Sequence, residues 1–139
     1  MVRLIVESQL YLYLLSKSDF FSADRSLEIH VELDRLHEVS LGQVELQREL
    51  LQTLIEVIQV NLDTIQYALE TRDCVTLARC AHQIKGASAN VGVPSVQAIA
   101  AELECRAIAQ NLSDTADLLA ALKNQELGLY VFIANHLSE

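Results

Sequence analysis

Proline occurs once, glycine four times and tryptophan not at all in the 139 residues. So thin a supply of turn formers argues against an all-β or loop-rich fold. Basic residues are also scarce: 10 Lys and Arg face 19 Asp and Glu, for a formal charge of −9. DNA and RNA binders rely on a basic patch, so this balance argues against a nucleic-acid partner. The three cysteines, Cys74, Cys80 and Cys105, form no CxxC pair. A disulfide framework is not expected; buried or half-buried thiols in a reducing compartment are. No apolar run reaches the roughly 18 residues of a transmembrane helix, so membrane insertion is not expected. The apolar stretch from Leu4 to Leu15 is interrupted by Glu7, Ser8 and Gln9 and is followed by no small-x-small cleavage site. It does not read as a signal peptide, and a cytoplasmic location follows as the expectation.

Chemistry-bearing motifs are equally sparse. There is no Walker-type or dinucleotide glycine loop, no GxSxG and no HExxH, so neither autokinase activity nor hydrolysis is expected. The histidines are His30, His37, His82 and His136. No two stand at i, i+3 or i, i+4, so a helical zinc site is not expected and no metal is assigned. His30, His37 and His136 read as surface or rim residues.

What the chain does have is helical periodicity. Hydrophobic residues make up 51% of it, enough for a real core. Leu51, Ile55, Ile58, Leu62, Ile65 and Leu69 lie on one stripe of a long helix running from Val44 to about Glu70. Thr71 to Asp73 break that helix, and Asp73 is placed to cap the next, from about Cys74 to Val91. Gly92 suits a helix C-terminus and Pro94 a first helical turn. Val96, Ile99, Leu103 and Ala107 mark a further helix to about Gln110. After a turn with Ser113 or Asp114 as cap, Leu119, Leu122, Glu126, Leu129, Ile133 and Leu137 mark the last. Four long helices with short connections predict an all-α, antiparallel up-and-down four-helix bundle. It would occupy residues 34–139, with Asp34 to Val39 as a short leading helix. Residues 1–33 are read as an N-terminal extension. Its apolar part, 1–21, is open between an added amphipathic helix on the bundle, a self-associating or partner-docking segment, and disorder. Met1 and this segment lean toward a freestanding protein rather than a piece of a longer chain.

The most informative stretch is 78–92. With about 100° per residue, Leu77, Ala81, Ile84, Ser88 and Val91 share one direction, the buried stripe. His82 falls roughly 140° away and therefore points out. Its helical neighbours Ala78, Gly86 and Ala89 are all small, leaving the imidazole approachable. Lys85, one turn on, brings a positive charge. Gly86 is costly in a helix interior, about 1 kcal/mol against alanine, and asks for a reason such as close approach of a partner or room for a bulky group on His82.

His82-x-x-Lys85-Gly86-Ala87-Ser88-Ala89-Asn90-x-Gly92 resembles the motif of the histidine-containing phosphotransfer (HPt) domains of multistep phosphorelays. The likeness extends over roughly residues 34–125 and leaves out the first thirty or so. It implies a phosphotransfer intermediate in two-component signal transduction: His82 takes a phosphoryl group from a receiver-domain aspartyl phosphate and yields it to another receiver aspartate. The implied partners are response-regulator receivers and a hybrid sensor histidine kinase. No cofactor is implied on this chain, Mg²⁺ being carried by the receiver. The oligomeric state is open between a monomer and a homodimer through residues 1–21.

Roles follow residue by residue. His82 is the phosphoacceptor, since a neutral imidazole is a nucleophile near neutral pH. Lys85 is read as pairing with the phosphoryl oxygens, or else as a solvated helix lysine. Gly86 gives clearance. Ser88, on the buried stripe, is expected to bond backbone and seat the helix, with Asn90 and Gly92 ending it. Arg79 either steers a receiver's acidic pocket or is a plain surface residue, and Ala78 and Ala89 belong to the contact surface. Glu104 stands where many family members place a polar residue, often glutamine, that bonds the histidine ring. A carboxylate there would fix the tautomer but would repel a phosphoryl group if too close. The competing reading keeps the fold but makes the chain a binding or scaffold module with His82 unphosphorylated.

Overall fold

The computed structural model describes residues 29–137. Most of the N-terminal extension, the 1–21 segment included, and the last two residues lie outside the described residues. Among the described residues there are five helices and no strand: α1 (Leu33–Ser40), α2 (Val44–Thr71), α3 (Cys74–Val91), α4 (Pro94–Ile108) and α5 (Thr115–His136). Chain neighbours pack side by side, α2 on α3, α3 on α4, α4 on α5, and α5 returns onto α2. The diagonal pairs stay apart, which is the arrangement of an up-and-down four-helix bundle. Short α1 lies across α2 and α3.

Helix α3 begins and ends for reasons visible in its sequence. At its N-terminus Asp73 accepts the Thr76 N–H at 3.1 Å and the Thr76 hydroxyl at 2.6 Å, satisfying an otherwise orphaned donor. Those bonds hold the Asp73 carboxyl below its usual range. At the other end Gly92 turns left-handed, with φ at 80°. Its N–H donates to the Ala89 carbonyl, and the Val93 N–H donates to Ser88 at 2.9 Å. Pro94 then opens α4 at a position that needs no N–H. The short turn leaves no slack, so α3 and α4 form an antiparallel pair of fixed register.

The buried stripe of α3 is Leu77, Cys80, Ala81, Ile84, Ser88 and Val91. In α2 the core residues Leu51, Ile55, Ile58 and Ile65 lie on the expected stripe, with Leu62 and Leu69 half-buried at its edge. Leu54, Asn61 and Ala68 join them, because a wide bundle helix buries more than one narrow seam. Asn61 meets the cost of burial by donating to the Val57 carbonyl at 2.8 Å. Helix α5 buries Leu119, Leu122, Leu129 and Ile133 as its spacing predicts, with Gln125 beside them. Glu126, expected as the polar member of the stripe, sits at its half-buried edge, and burial pushes its carboxyl up.

Two expectations need adjusting. Asp114 stands at the N-cap of α5, but its side chain makes no capping bond. Ser113 bonds back to Asn111 instead, and the Thr115 hydroxyl donates to Leu112 at 2.7 Å. Cys105 is exposed rather than buried or half-buried, whereas Cys80 is buried and Cys74 intermediate.

Gly92 is held twice over. Its left-handed backbone angle favours glycine, and a Cβ there would come within 2.8 Å of the Arg35 Cβ, where α1 is fastened by a bond from the Glu32 N–H to the Gly92 carbonyl at 2.7 Å. Gly92→Ala is expected to cost about 2 kcal/mol or more, from left-handed strain and the displaced α1. Chemical denaturation followed by circular dichroism measures it. Asp73→Ala, which removes one cap, is expected to cost about 1 kcal/mol in the same assay.

Candidate functional site

The face of α3 opposite its buried stripe carries His82. Its side chain is 69% exposed, as its helical position predicts. Ala78 and Ala89 beside it are half-buried and Gly86 is exposed. A Cβ built on Gly86 would meet nothing within 4 Å. Glycine there answers no crowding within the chain, so the space it leaves lies outside, next to the histidine.

The register of α3 against α4 brings Glu104 to the ring. His82 Nδ1 lies 2.7 Å from Glu104 Oε2. The other carboxylate oxygen, Oε1, accepts from the Lys85 ammonium. Glu104 is the best shielded of the three, 15% exposed against 33% for Lys85. The hydrogen bond from Lys85 holds the Glu104 carboxyl below its usual range; burial opposes this and the bond from His82 adds to it. An ionised carboxylate can only accept, so Nδ1 carries the proton it shares with Glu104. Nε2 is then left with its lone pair, on the side of the ring away from α4. The arrangement presents an oriented imidazole whose other nitrogen faces outward.

The remaining residues divide. Ser88 is fully buried, and its hydroxyl donates to the Ile84 carbonyl at 2.8 Å and to Lys85 O at 3.0 Å. It bonds backbone, as expected from its place on the stripe. Asn90 is exposed in the last turn of α3, and Gly92 closes that turn. Arg79 is exposed one turn before His82 and makes no bond to it. His30, His37 and His136 are exposed and far along the chain from this face. The His136 ring lies against Phe132, with centroids 4.6 Å apart.

Two residues that sequence reasoning did not single out share this face. Val75 is seven residues before His82, two turns along the same side of α3, and is 82% exposed. Ile108 stands one turn beyond Glu104 on α4 and is 70% exposed. Because the helices are antiparallel, both fall toward the same end of the groove. Their seven- and four-residue offsets from the site were readable, but only once α4 was known to lie beside α3.

A family model described as "Hpt domain" matches residues 49–128, more than half of the chain and including His82, Lys85 and Glu104. Among solved structures, that of histidine-containing phosphotransfer protein B (HptB) from Pseudomonas aeruginosa PAO1 is similar in fold, with a TM-score of 0.69. The likeness covers 76% of this chain and 91% of that one at 22% identity. No curated protein matches. Among the described residues no helix is long and apolar enough to cross a membrane.

The Glu104 carboxyl, being depressed in the folded protein, contributes stability that is complete above the unfolded carboxyl range and is lost as pH falls through its folded value. Wild type is therefore expected to exceed Glu104→Gln in denaturant stability at pH 7, with the difference narrowing as pH falls below the ordinary carboxylate range. Urea melts of both proteins across the acid range check this, and a gap that stays constant as pH falls would contradict it.

Proposed function

Since the chain belongs to the Hpt domain family, we propose that His82 accepts a phosphoryl group from the aspartyl phosphate of a receiver domain and passes it to another receiver aspartate. The observation that carries this reading is the ring itself, fixed through Nδ1 by Glu104 and open at Nε2. The Nε2 lone pair attacks phosphorus, the P–O bond to the aspartate breaks with its electron pair returning to that carboxylate, and a P–N bond forms. The reverse step delivers the group to a second aspartate. Phosphoryl transfer asks mainly for in-line geometry and charge neutralisation. The receiver supplies the Mg²⁺ and most of that apparatus, while this chain supplies a nucleophile on a rigid helix. It acts as a carrier without autokinase activity, working with response regulators and a hybrid sensor histidine kinase.

Lys85 contributes by charge. One of its three donors is committed to Glu104, and the others are available to oxygens brought in on Nε2. Val75 and Ile108 extend the small apolar surface of Ala78 and Ala89 toward a docked receiver, a transient contact at the low end of interface sizes. Gly86 leaves the room that the incoming domain needs.

Treatment with phosphoramidate followed by intact-mass analysis tests the reading. Wild type is expected to gain one acid-labile phosphoryl group and His82→Gln none. Folded wild type that stays unlabelled, beside a labelled HPt control, would leave a binding module in place of a carrier. Gly86→Ala separates folding from docking. It is expected to raise stability by about 1 kcal/mol, since nothing in the chain opposes the new methyl. A bulkier Gly86→Leu should stay folded and still lose phosphoryl exchange with its receiver; retained exchange would remove Gly86 from the docking face.

A further inference from the structure

Helix α5 is apolar on more sides than the bundle uses. Residues 127–133 read Leu-Gly-Leu-Tyr-Val-Phe-Ile, a run without a charge. A helix advances about 100° per residue, so such a run goes the whole way round. The bundle uses one side. Leu122, Leu129 and Ile133 are buried there, and among the described residues α2 and α4 are the helices packed on α5. Leu127 and Val131 stand roughly 140° and 180° from Leu122, on the side that faces away from the core. A helix that is apolar all round is ordinarily covered all round.

Burial singles this face out. Val60 on α2, Val75 on α3 and Ile108 on α4 also point outward, and all of them are exposed. Leu127 and Val131 are half-buried, although the helices of the bundle lie on the other side of α5. Ala120, on the same face but nearer the start of α5, is exposed. The shielding is thus confined to the C-terminal half of the helix.

The chain before Ile29 arrives at the same end of the molecule. The Glu32 N–H donates to the Gly92 carbonyl and the His30 N–H to Ser95 Oγ at 3.1 Å, so the backbone crosses the α3–α4 turn and comes to the first turn of α4. Antiparallel packing sets the C-terminal half of α5 beside that turn. The apolar stretch Leu4 to Leu15 is joined to Ile29 by 13 residues, which can span at most about 45 Å. Helix α5, with 22 residues, is only about 33 Å long, so the stretch can reach any part of it. Leu4, Ile5, Val6, Leu10, Leu12, Leu14 and Leu15 supply apolar surface, and Glu7 is its one charged residue. A second copy is the other occupant to consider, but two chains of formal charge −9 repel each other. The segment has the advantage of its tether, which raises its concentration at the face. We propose that the stretch Leu4 to Leu15 of the same chain lies on the outer face of α5 at Leu127 and Val131 and completes the burial of that helix. Helix α5 is diagonal to α3, so this cover leaves the His82 face open.

The chain has no tryptophan, so a single introduced indole reports its own surroundings. The full chain is prepared as Val131→Trp and, for comparison, as Val60→Trp on the exposed face of α2. Acrylamide is expected to quench Val131→Trp several-fold less readily than Val60→Trp, at every protein concentration. Adding Leu10→Asp and Leu14→Asp should raise quenching of Val131→Trp to the level of Val60→Trp and leave Val60→Trp unchanged, with helix content retained by circular dichroism. An indole at 131 as open as the one at 60, or one shielded regardless of the two aspartates, would overturn the inference. Shielding that disappears on dilution, together with a dimer by light scattering, would also overturn it and assign the face to a second copy. Amide exchange guards against disturbance by the indole itself. With α5 unaltered, Leu10→Asp with Leu14→Asp should speed exchange at residues 127–133 and leave α3 as it was. Unchanged exchange in α5 would count against the proposal.

Discussion

The site depends on the register of two helices. Glu104 reaches His82 because the chain reverses between Val91 and Pro94 in a single tight turn, closed by bonds from Gly92 and Val93 back into the last turn of α3. A helix advances about 100° per residue, so sliding α4 by one residue would carry the carboxylate off the groove altogether. Gly92 cannot relax the constraint, because its left-handed angle and its contact with α1 fix it from both sides. The hydrogen bond at Nδ1 is therefore a property of the turn as much as of the two side chains that make it.

The same helix has to do two things, and it separates them by angle. Leu77, Ala81, Ile84, Ser88 and Val91 fill the interior, while His82, Gly86 and Val75 face outward. Ser88 shows how the division is kept. A hydroxyl on the buried side would cost stability if left unpaired, so it turns back onto two carbonyls of its own helix. Gly86 shows the converse, since it gives up helix stability for space on the outer side. Glu104 lies between these regimes, shielded enough to be directed and close enough to the surface for its charge to be carried.

Most of this was legible in the sequence, where one helix could be read by itself. The bounds of α3, its cap at Asp73, its end at Gly92 and the outward aim of His82 all follow from local pattern and turn chemistry. What needed the structure was whatever joins two helices. Nothing in the spacing of residues 85 and 104 says that one carboxylate is shared between Lys85 and His82. Nor does it say that Val75 and Ile108 bracket one end of a common groove. In α5 the expected stripe held at its apolar positions, but Gln125 took the interior and Glu126 the edge. Asp114 failed as a cap because its own backbone is left-handed, with φ at 61°, where a capping residue is ordinarily extended.

The open space over Gly86 has a bearing on how such a chain can change over generations. The fold does not crowd that position, since beyond the helix's own adjacent backbone no atom comes within 4 Å of the missing methyl. Substitutions on that outer face alter which surfaces can approach His82 without disturbing the interior that keeps the helix in place. Lineages descended from one gene copy can therefore diverge in the company they keep while inheriting the same bundle, and crosstalk between duplicated signalling lines can be pruned at little cost to folding.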